Sequence, residues 1–256
     1  APVNEAALLR LEEASMNAWP GLKTVLDDRW VVRLGEGYTR RANSITMLAA
    51  GEDIAERLAR CSALFAPEGV APCARVVDFA AASEAALDAA GFGAPFDKTV
   101  TLWRAMDPPP PADPRVELFL GRPTAEWLTA KDRLNAENDA ECASRRKILA
   151  AIAVPIAYGG VRGPDGQYAA LAYVALHAGL ASLNMVVTDP AQRGQRLSQA
   201  VCEALLAWAH GQGMRAACLQ TLEANTSARA LYARMGFSGP LYAYHYRVLE
   251  TGQLPS

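Results

Sequence analysis

A chain of 256 residues holds one large domain or two small ones at about 150 residues per domain, and it can build a core without disulfide or metal staples. With 51% hydrophobic and 20% charged residues it is neither disordered nor collagen-like, and a formal net charge of −2 gives no bulk attraction to nucleic acid or to an anionic membrane. No apolar run approaches the roughly 18–20 residues that span a bilayer, and the opening APVNEAALLRLEEA lacks the basic-then-apolar order of a signal peptide, so the expected location is cytoplasmic.

The first predicted element is an amphipathic helix over 4–18, followed by strand-like stretches at 30–34 and 44–48 and a helix over 54–65. A short strand at 74–78, a helix near 83–90 stopped by Gly91-Phe92-Gly93, and a strand around 98–103 complete a first unit. The run Asp107-Pro108-Pro109-Pro110-Pro111-Ala112-Asp113-Pro114 forbids helix and sheet ladder and favours a stiff, extended segment. The expected division is therefore 1–106, a linker at 107–114, and 115–256.

The second unit starts with a strand at 116–120 and helices at 124–135 and 141–151. Strands at 154–161 and 168–176 flank the turn Arg162-Gly163-Pro164-Asp165-Gly166, which reads as a hairpin, and a third strand covers 183–188. A long helix at 197–210 ends in Gly211-Gln212-Gly213. A strand at 216–221, a helix from 226 to 235 with Asn225 as N-cap, and a last strand at 241–248 follow. Gly91-Phe92 and Gly236-Phe237 each follow a helix and precede a proline-led strand, which points to a duplicated fold.

The five cysteines are widely spaced without a C-x-x-C pair, and the reading is reduced, buried thiols. The three histidines stand far apart with no i,i+4 partner, so no metal site is expected.

Chemistry concentrates in two stretches. In Val186-Val187-Thr188-Asp189-Pro190-Ala191-Gln192-Arg193-Gly194-Gln195-Arg196-Leu197-Ser198 a strand passes through a polar turn into a long helix. Free N–H groups at a helix N-terminus, reinforced by the helix dipole and by Arg193 and Arg196, suit a pyrophosphate. The second stretch is Asn225-Thr226-Ser227-Ala228-Arg229-Ala230-Leu231-Tyr232-Ala233-Arg234-Met235-Gly236-Phe237. Its Asn-x-x-Ala-x-x-Leu-Tyr-x-x-x-Gly-Phe pattern resembles the C-terminal signature of the GNAT superfamily of acyl-CoA-dependent N-acyltransferases, and the upstream Asp-Pro-x-x-Arg-Gly turn resembles that superfamily's pyrophosphate loop.

The resemblance implies an α/β (α+β) fold of two GNAT-like units, each a mixed, mostly antiparallel twisted sheet flanked by helices. It implies acetyl-CoA as acyl donor. Val186, Val187 and Thr188 would offer backbone groups to the pantetheine arm; Arg193, Gly194, Gln195, Arg196, Leu197 and Ser198 would cradle the pyrophosphate; Asn225 would sit beside the pantetheine. Tyr232, two turns along the same helix, would protonate the departing thiolate, a role suited to a phenol that stays protonated at pH 7. The family loop usually carries small residues where Arg196 and Ser198 stand. They either weaken cofactor binding or compensate through an added phosphate contact and a small side chain.

The first unit carries Leu87 at the position of Tyr232, and its junction Ala49-Ala50-Gly51-Glu52-Asp53 places acids where phosphate needs amides or bases, so it reads as a GNAT-like half without a cofactor site. Mycothiol synthase is a comparable tandem layout. Gly37-Tyr38-Thr39-Arg40-Arg41-Ala42-Asn43-Ser44 and Tyr244-His245-Tyr246-Arg247 resemble bacterial tandem GNAT proteins of unassigned substrate.

Transfer also needs a neutral amine. Glu223, two residues before Asn225, is either the base or a solvated turn acid. Glu137, Asp139 and Glu141, between the helices that roof the acceptor pocket in this superfamily, bind the substrate cation or merely solvate a helix start. Tyr242, Tyr244 and Tyr246 share one face of the last strand, as pocket lining or as core. Arg40, Arg41 and Asn43 either meet an acidic group of the substrate or are exposed hairpin charges. The expected partner is a small-molecule amine, with no nucleic acid or membrane partner, acted on by a monomer or homodimer. A protein acetyltransferase and a non-catalytic acyl-CoA-binding module are the alternatives.

Overall fold

The computed structural model describes residues 4–49, 51–80 and 84–250. The expected assignments at Ala50, at Ser83 and for 251–256 lie outside the described residues. In chain order the first half comprises α1 (Glu5–Ala18), β1 (Lys23–Asp27), β2 (Trp30–Leu34), β3 (Ser44–Met47), α2 (Ile54–Ala63), β4 (Cys73–Val77), α3 (Glu84–Ala89) and β5 (Phe96–Ala105). The second half comprises β6 (Val116–Leu120), α4 (Ala125–Asn135), α5 (Asp139–Ala150), β7 (Ile156–Arg162), β8 (Tyr168–His177), β9 (Leu180–Thr188), α6 (Leu197–Gly211), β10 (Ala216–Leu222), α7 (Thr226–Arg234) and β11 (Ser238–Val248).

All eleven strands form one sheet in the order β1-β2-β3-β4-β11-β5-β10-β9-β8-β7-β6. The mixed, twisted sheet flanked by helices is the expected α/β class. Its centre holds an exchange: β5, the last strand before the proline segment, pairs with β10 of the second half, and β11, the last strand of the chain, pairs with β4 of the first. The two exchanged strands also pair with each other. The sheet is therefore continuous across the proline segment.

Side-chain alternation along the strands sorts the helices into two layers. Ala170, Ala172, Val174 and Leu176 of β8 pack with Val201 and Leu205 of α6, whereas Leu171, Tyr173 and Ala175 pack with Trp127, Ile148 and Leu149 of α4 and α5 and with Ala18 and Trp19 at the end of α1. α2 and α3 cover the first half on the α6 side.

Two turns repeat between the halves. Phe92 N–H donates to Leu87 O and Gly91 N–H to Asp88 O; Phe237 N–H donates to Tyr232 O and Gly236 N–H to Ala233 O. Gly91 and Gly236 both have φ 82°, the left-handed conformation that ends a helix. β1 was not expected: Lys-Thr-Val-Leu-Asp lies at the sheet edge and four of its five residues are exposed, so no apolar alternation marks it. All five cysteines are buried and free. Among the described residues no helix is long and apolar enough to cross a membrane.

Candidate active site

The site is built by two strands that part. β9 and β10 run parallel over three register pairs, ending at Cys218↔Ser182, while both strands continue beyond that point. β9 also carries a bulge. Leu171 pairs with Val187 and Tyr173 with Asn184, so Met185 and Val186 oppose a single residue, and Met185 has φ 54°. The buried Lys131 ammonium donates to Met185 O at 3.2 Å, pinning the bulge to α4. Burial, then the nearby Arg145 charge, lowers Lys131 to about 7.

Past the bulge, Asp189 accepts from Ala191 N–H to form a short turn, Gly194 turns with φ 82°, and Arg196 enters the left-handed region at φ 56° before α6 begins. No side chain caps the first turn of α6. Opposite, the Asn225 side chain accepts from Ala228 N–H and starts α7. The cleft between them has a volume of about 640 Å³ and is lined by Val186, Val187, Thr188, Arg193, Gly194, Arg196, Leu197, Ser198, Asn225 and Tyr232 of the expected cofactor residues. Gln195 is not in this lining; its amide bonds Gln192 at 2.8 Å. Gln192, Gln199, Ser227, Leu231 and Arg234 join it without having been expected.

The lining suits a diphosphate-bearing acyl-CoA. It contains no carboxylate, and among the described residues Arg193, Arg196 and Arg234 have no ion pair. A side chain added at Gly194 would meet nothing within 4 Å, so the loop's backbone is open to a ligand. Uncapped amides, dipole and unpaired guanidiniums act in the same direction. Thr188 and Ser198 share a hydroxyl–hydroxyl hydrogen bond that joins strand to helix. Tyr232 is buried, its ring edge-on to Phe237 at 6.0 Å, and its hydroxyl has no hydrogen-bond partner among the described residues. Burial, with Cys202 nearby, pushes its pKa well above 10.

Glu223 closes the end of β10. Its N–H donates to Lys98 O at 2.8 Å and its half-exposed carboxylate meets Lys98 Nζ at 2.9 Å, and it is not in the cleft's lining.

The other expected substrate residues lie on the α1/α4/α5 face. Asn43 spends its side chain on the 35–43 turn, accepting from Gly35 and Gly37 N–H and donating to Tyr38 and Thr39 O. Arg40 reaches Asp97 at 3.4 Å and stacks over Phe96. Arg41 bonds Asn184 of β9 at 3.2 Å and stacks on Trp19. Glu137, in the α4–α5 connection, accepts from Tyr38 OH at 2.8 Å and pairs with Arg145. Arg41 thus comes beside the second half's sheet on a turn that also touches Glu137, while Arg40 stays with β5. Tyr244 is buried, with the Arg75 guanidinium 3.6 Å from its ring centroid. Asp139 and Glu141 sit in the first turn of α5, where Glu141 completes a capping box with Asn138. Asn184, Trp19 and Lys131 escaped sequence reasoning because no motif surrounds them.

The first half repeats the loop with opposite charge. A cleft of about 540 Å³ is lined by Asp27, Asp28, Glu52, Asp53 and Glu56 against Arg57 and Arg60. The Arg57 guanidinium crowds the space beside Gly51 and bonds Asp27. Acids and an internal cation occupy the place a diphosphate would need.

Known proteins resemble this chain in sequence and in fold. A family model described as "Probable histone acetyltransferase Rv0428c C-terminal" matches residues 6–247. The uncharacterized N-acetyltransferase YobR of Bacillus subtilis is 33% identical over 79 residues, 31% of this chain and 32% of that protein, so the match spans about a third of that relative's length. Among solved structures, a GCN5-related N-acetyltransferase from Kribbella flavida superposes with TM-score 0.64 at 18% identity, covering 96% of this chain and 94% of the other. A tandem GNAT protein from the clavulanic acid biosynthesis pathway does so with TM-score 0.60 at 19% identity, covering 77% and 69%. The family match over most of the chain, joined to a parted β9–β10 pair that opens on an uncapped α6, makes this chain a member of that acetyltransferase family and of the GNAT N-acetyltransferases.

Proposed function

We propose that the second half moves an acetyl group from acetyl-CoA to the primary amine of a small molecule by direct transfer. The observation that carries this reading is the acid-free cleft between the parted strands, with unpaired arginines at one end and a buried phenol inside. Bound there, acetyl-CoA supplies the activated thioester. Amides around Arg193–Ser198 and the two arginines hold its diphosphate, and the Val186–Thr188 backbone aligns the pantetheine and polarises the carbonyl. Tyr232 keeps its proton until negative charge develops on the leaving sulfur, then donates it. Glu223 takes the proton of the attacking amine, directly or through a water. None of the five cysteines lines the cleft, which disfavours a covalent acyl-enzyme.

Calorimetry with acetyl-CoA followed by thiol release over a panel of amines tests the reading. Micromolar binding with amine-dependent thiol release is the expected result, and binding without turnover would leave an acyl-CoA-binding module. A second reading, transfer to a protein lysine, is favoured by the description of the matched family. A histone-tail peptide in the same panel discriminates, since acetylation of the peptide above all small amines would replace the small-molecule reading.

A further inference from the structure

The face of the sheet opposite the cofactor helices carries an imbalance of charge that folding alone leaves unused. Arg41 reaches from the first half's 35–43 turn to Asn184, two residues past the last paired residue of β9, so its guanidinium stands at the apex where β9 and β10 part. It is only partly buried, held between the Trp19 ring, 5.0 Å away, and the Asn184 amide oxygen. Among the described residues it has no carboxylate partner.

Two further arginines stand close by. Arg33 is 2% exposed and donates to the carbonyls of Met16 and Trp19 at the end of α1, but its Nε and second terminal nitrogen are buried without an acceptor. Arg75 pairs with Glu12, and its Nε too lacks an acceptor. Of the three guanidiniums only Arg75 has an ion pair among the described residues. Burial first, then the positive charges of Arg75 and Arg41, bring Arg33 down to about 10. Two unpaired cations and a surplus of buried N–H donors make this corner of the sheet favourable for an anion.

We propose that the acceptor amine also carries a carboxylate, which seats on Arg41 at the apex of the splay while Arg33 and Arg75 supply a supporting positive field. This deepens, and rests on, the acyl-transfer reading above. Asn184 and Val186 stand two residues apart on β9 with the bulged Met185 between them, so at most about 7 Å separates them along the strand. The amine that meets the thioester and the anion that meets Arg41 are thus a few bonds apart, the spacing of a small amino acid. The first half then supplies the specificity of a reaction carried out in the second.

The experiment compares glycine, β-alanine and 4-aminobutyrate with their amides, which keep the skeleton and remove the charge, in acetyl-CoA-dependent thiol release. The acids should exceed their amides in kcat/KM by about ten- to a hundred-fold, the range of a charge-assisted contact. Arg41→Gln should bring that ratio toward one, and Arg41→Lys should keep part of it. Amides used as well as the acids, or a ratio unchanged in Arg41→Gln, would overturn the proposal. The wild-type ratio decides by itself if the variants do not fold. Failure of the underlying reading looks different: acetyl-CoA does not bind, or neither set of amines releases thiol, and the proposal then falls with it.

Discussion

Asp53 and Arg196 occupy equivalent backbone positions in the two halves. Each stands immediately before the helix that follows the loop, with φ 53° and 56°, and each comes two residues after a glycine at φ 82°, Gly51 and Gly194. The loop geometry is thus kept and its charge reversed. Arg196→Asp makes in the second half the substitution that the first half already tolerates, and Asp enters the left-handed region more readily than Arg. The melting temperature should hold, whereas acetyl-CoA Kd should rise by about ten-fold or more through loss of a phosphate contact and gain of a repulsive charge. Calorimetry measures both Kd values, and equal affinities would remove Arg196 from the cofactor site.

Tyr232→Phe isolates the proposed acid. The hydroxyl has no protein partner among the described residues, so its removal strands no buried donor or acceptor and should change stability by less than about 1 kcal/mol. Turnover of a reactive amine should fall by about a hundred-fold or more with acetyl-CoA affinity kept. Because burial raises the Tyr232 pKa above 10, the wild-type rate should climb as the amine deprotonates and show no alkaline decline below pH 10 from this group. A pH–rate profile checks both.

The order of helices and strands in the second half was legible because each element carries a local signal: the Asn225 cap, the Gly236 stop, and the continuous apolar run of β8. The lining of the cleft between β9 and β10 was legible for the same reason, since its residues fall in two continuous stretches. The exchange of β5 and β11 was not, because strand pairing is a long-range choice that no local pattern in either strand fixes. Nor was the meeting of Arg41 with Asn184. Arg41 and Asn184 are brought together by the packing of α1 and the 35–43 turn onto β8 and β9, and nothing near either residue in the sequence marks the meeting.

Glu12 joins α1 to β4, β10 and the exchanged strand β11. Fully buried, it accepts from Arg75, from Tyr242 OH at 2.6 Å and from the Gln220 amide at 3.1 Å. Burial raises its pKa, but the Arg75 charge and the hydrogen bonds from Arg75 and Tyr242 outweigh it, leaving the carboxyl below the usual 4.5. A depressed carboxylate contributes stability above its unfolded pKa and loses it as pH falls through the folded value. Glu12→Gln should therefore cost roughly 3–5 kcal/mol at neutral pH by leaving Arg75 unpaired. Urea melts should show the gap to wild type narrowing only below pH 4.5. A constant gap down to the acid limit would show that packing, not charge, sets the cost.

Lys131 gives a pH dependence of the same sign in a higher window. Its folded pKa of about 7 lies below its ordinary 10.5, so between these values the unfolded chain holds a proton that the folded protein has released. Stability from this group accordingly rises with pH across that window and is flat below it, where both states are protonated. Lys131→Met removes the titration and also the contact to Met185 O at the β9 bulge. Compared by denaturant melts, wild type should gain on Lys131→Met steadily from about pH 7 to 10, and parallel curves would rule out a buried titrating ammonium. In acetyl-CoA titrations the variant should bind more weakly, because the bulge that directs Val186–Thr188 into the cleft has lost its anchor to α4. Lys131→Arg, which keeps a donor to Met185 O, should restore part of the affinity while abolishing the titration, separating the two roles of one side chain.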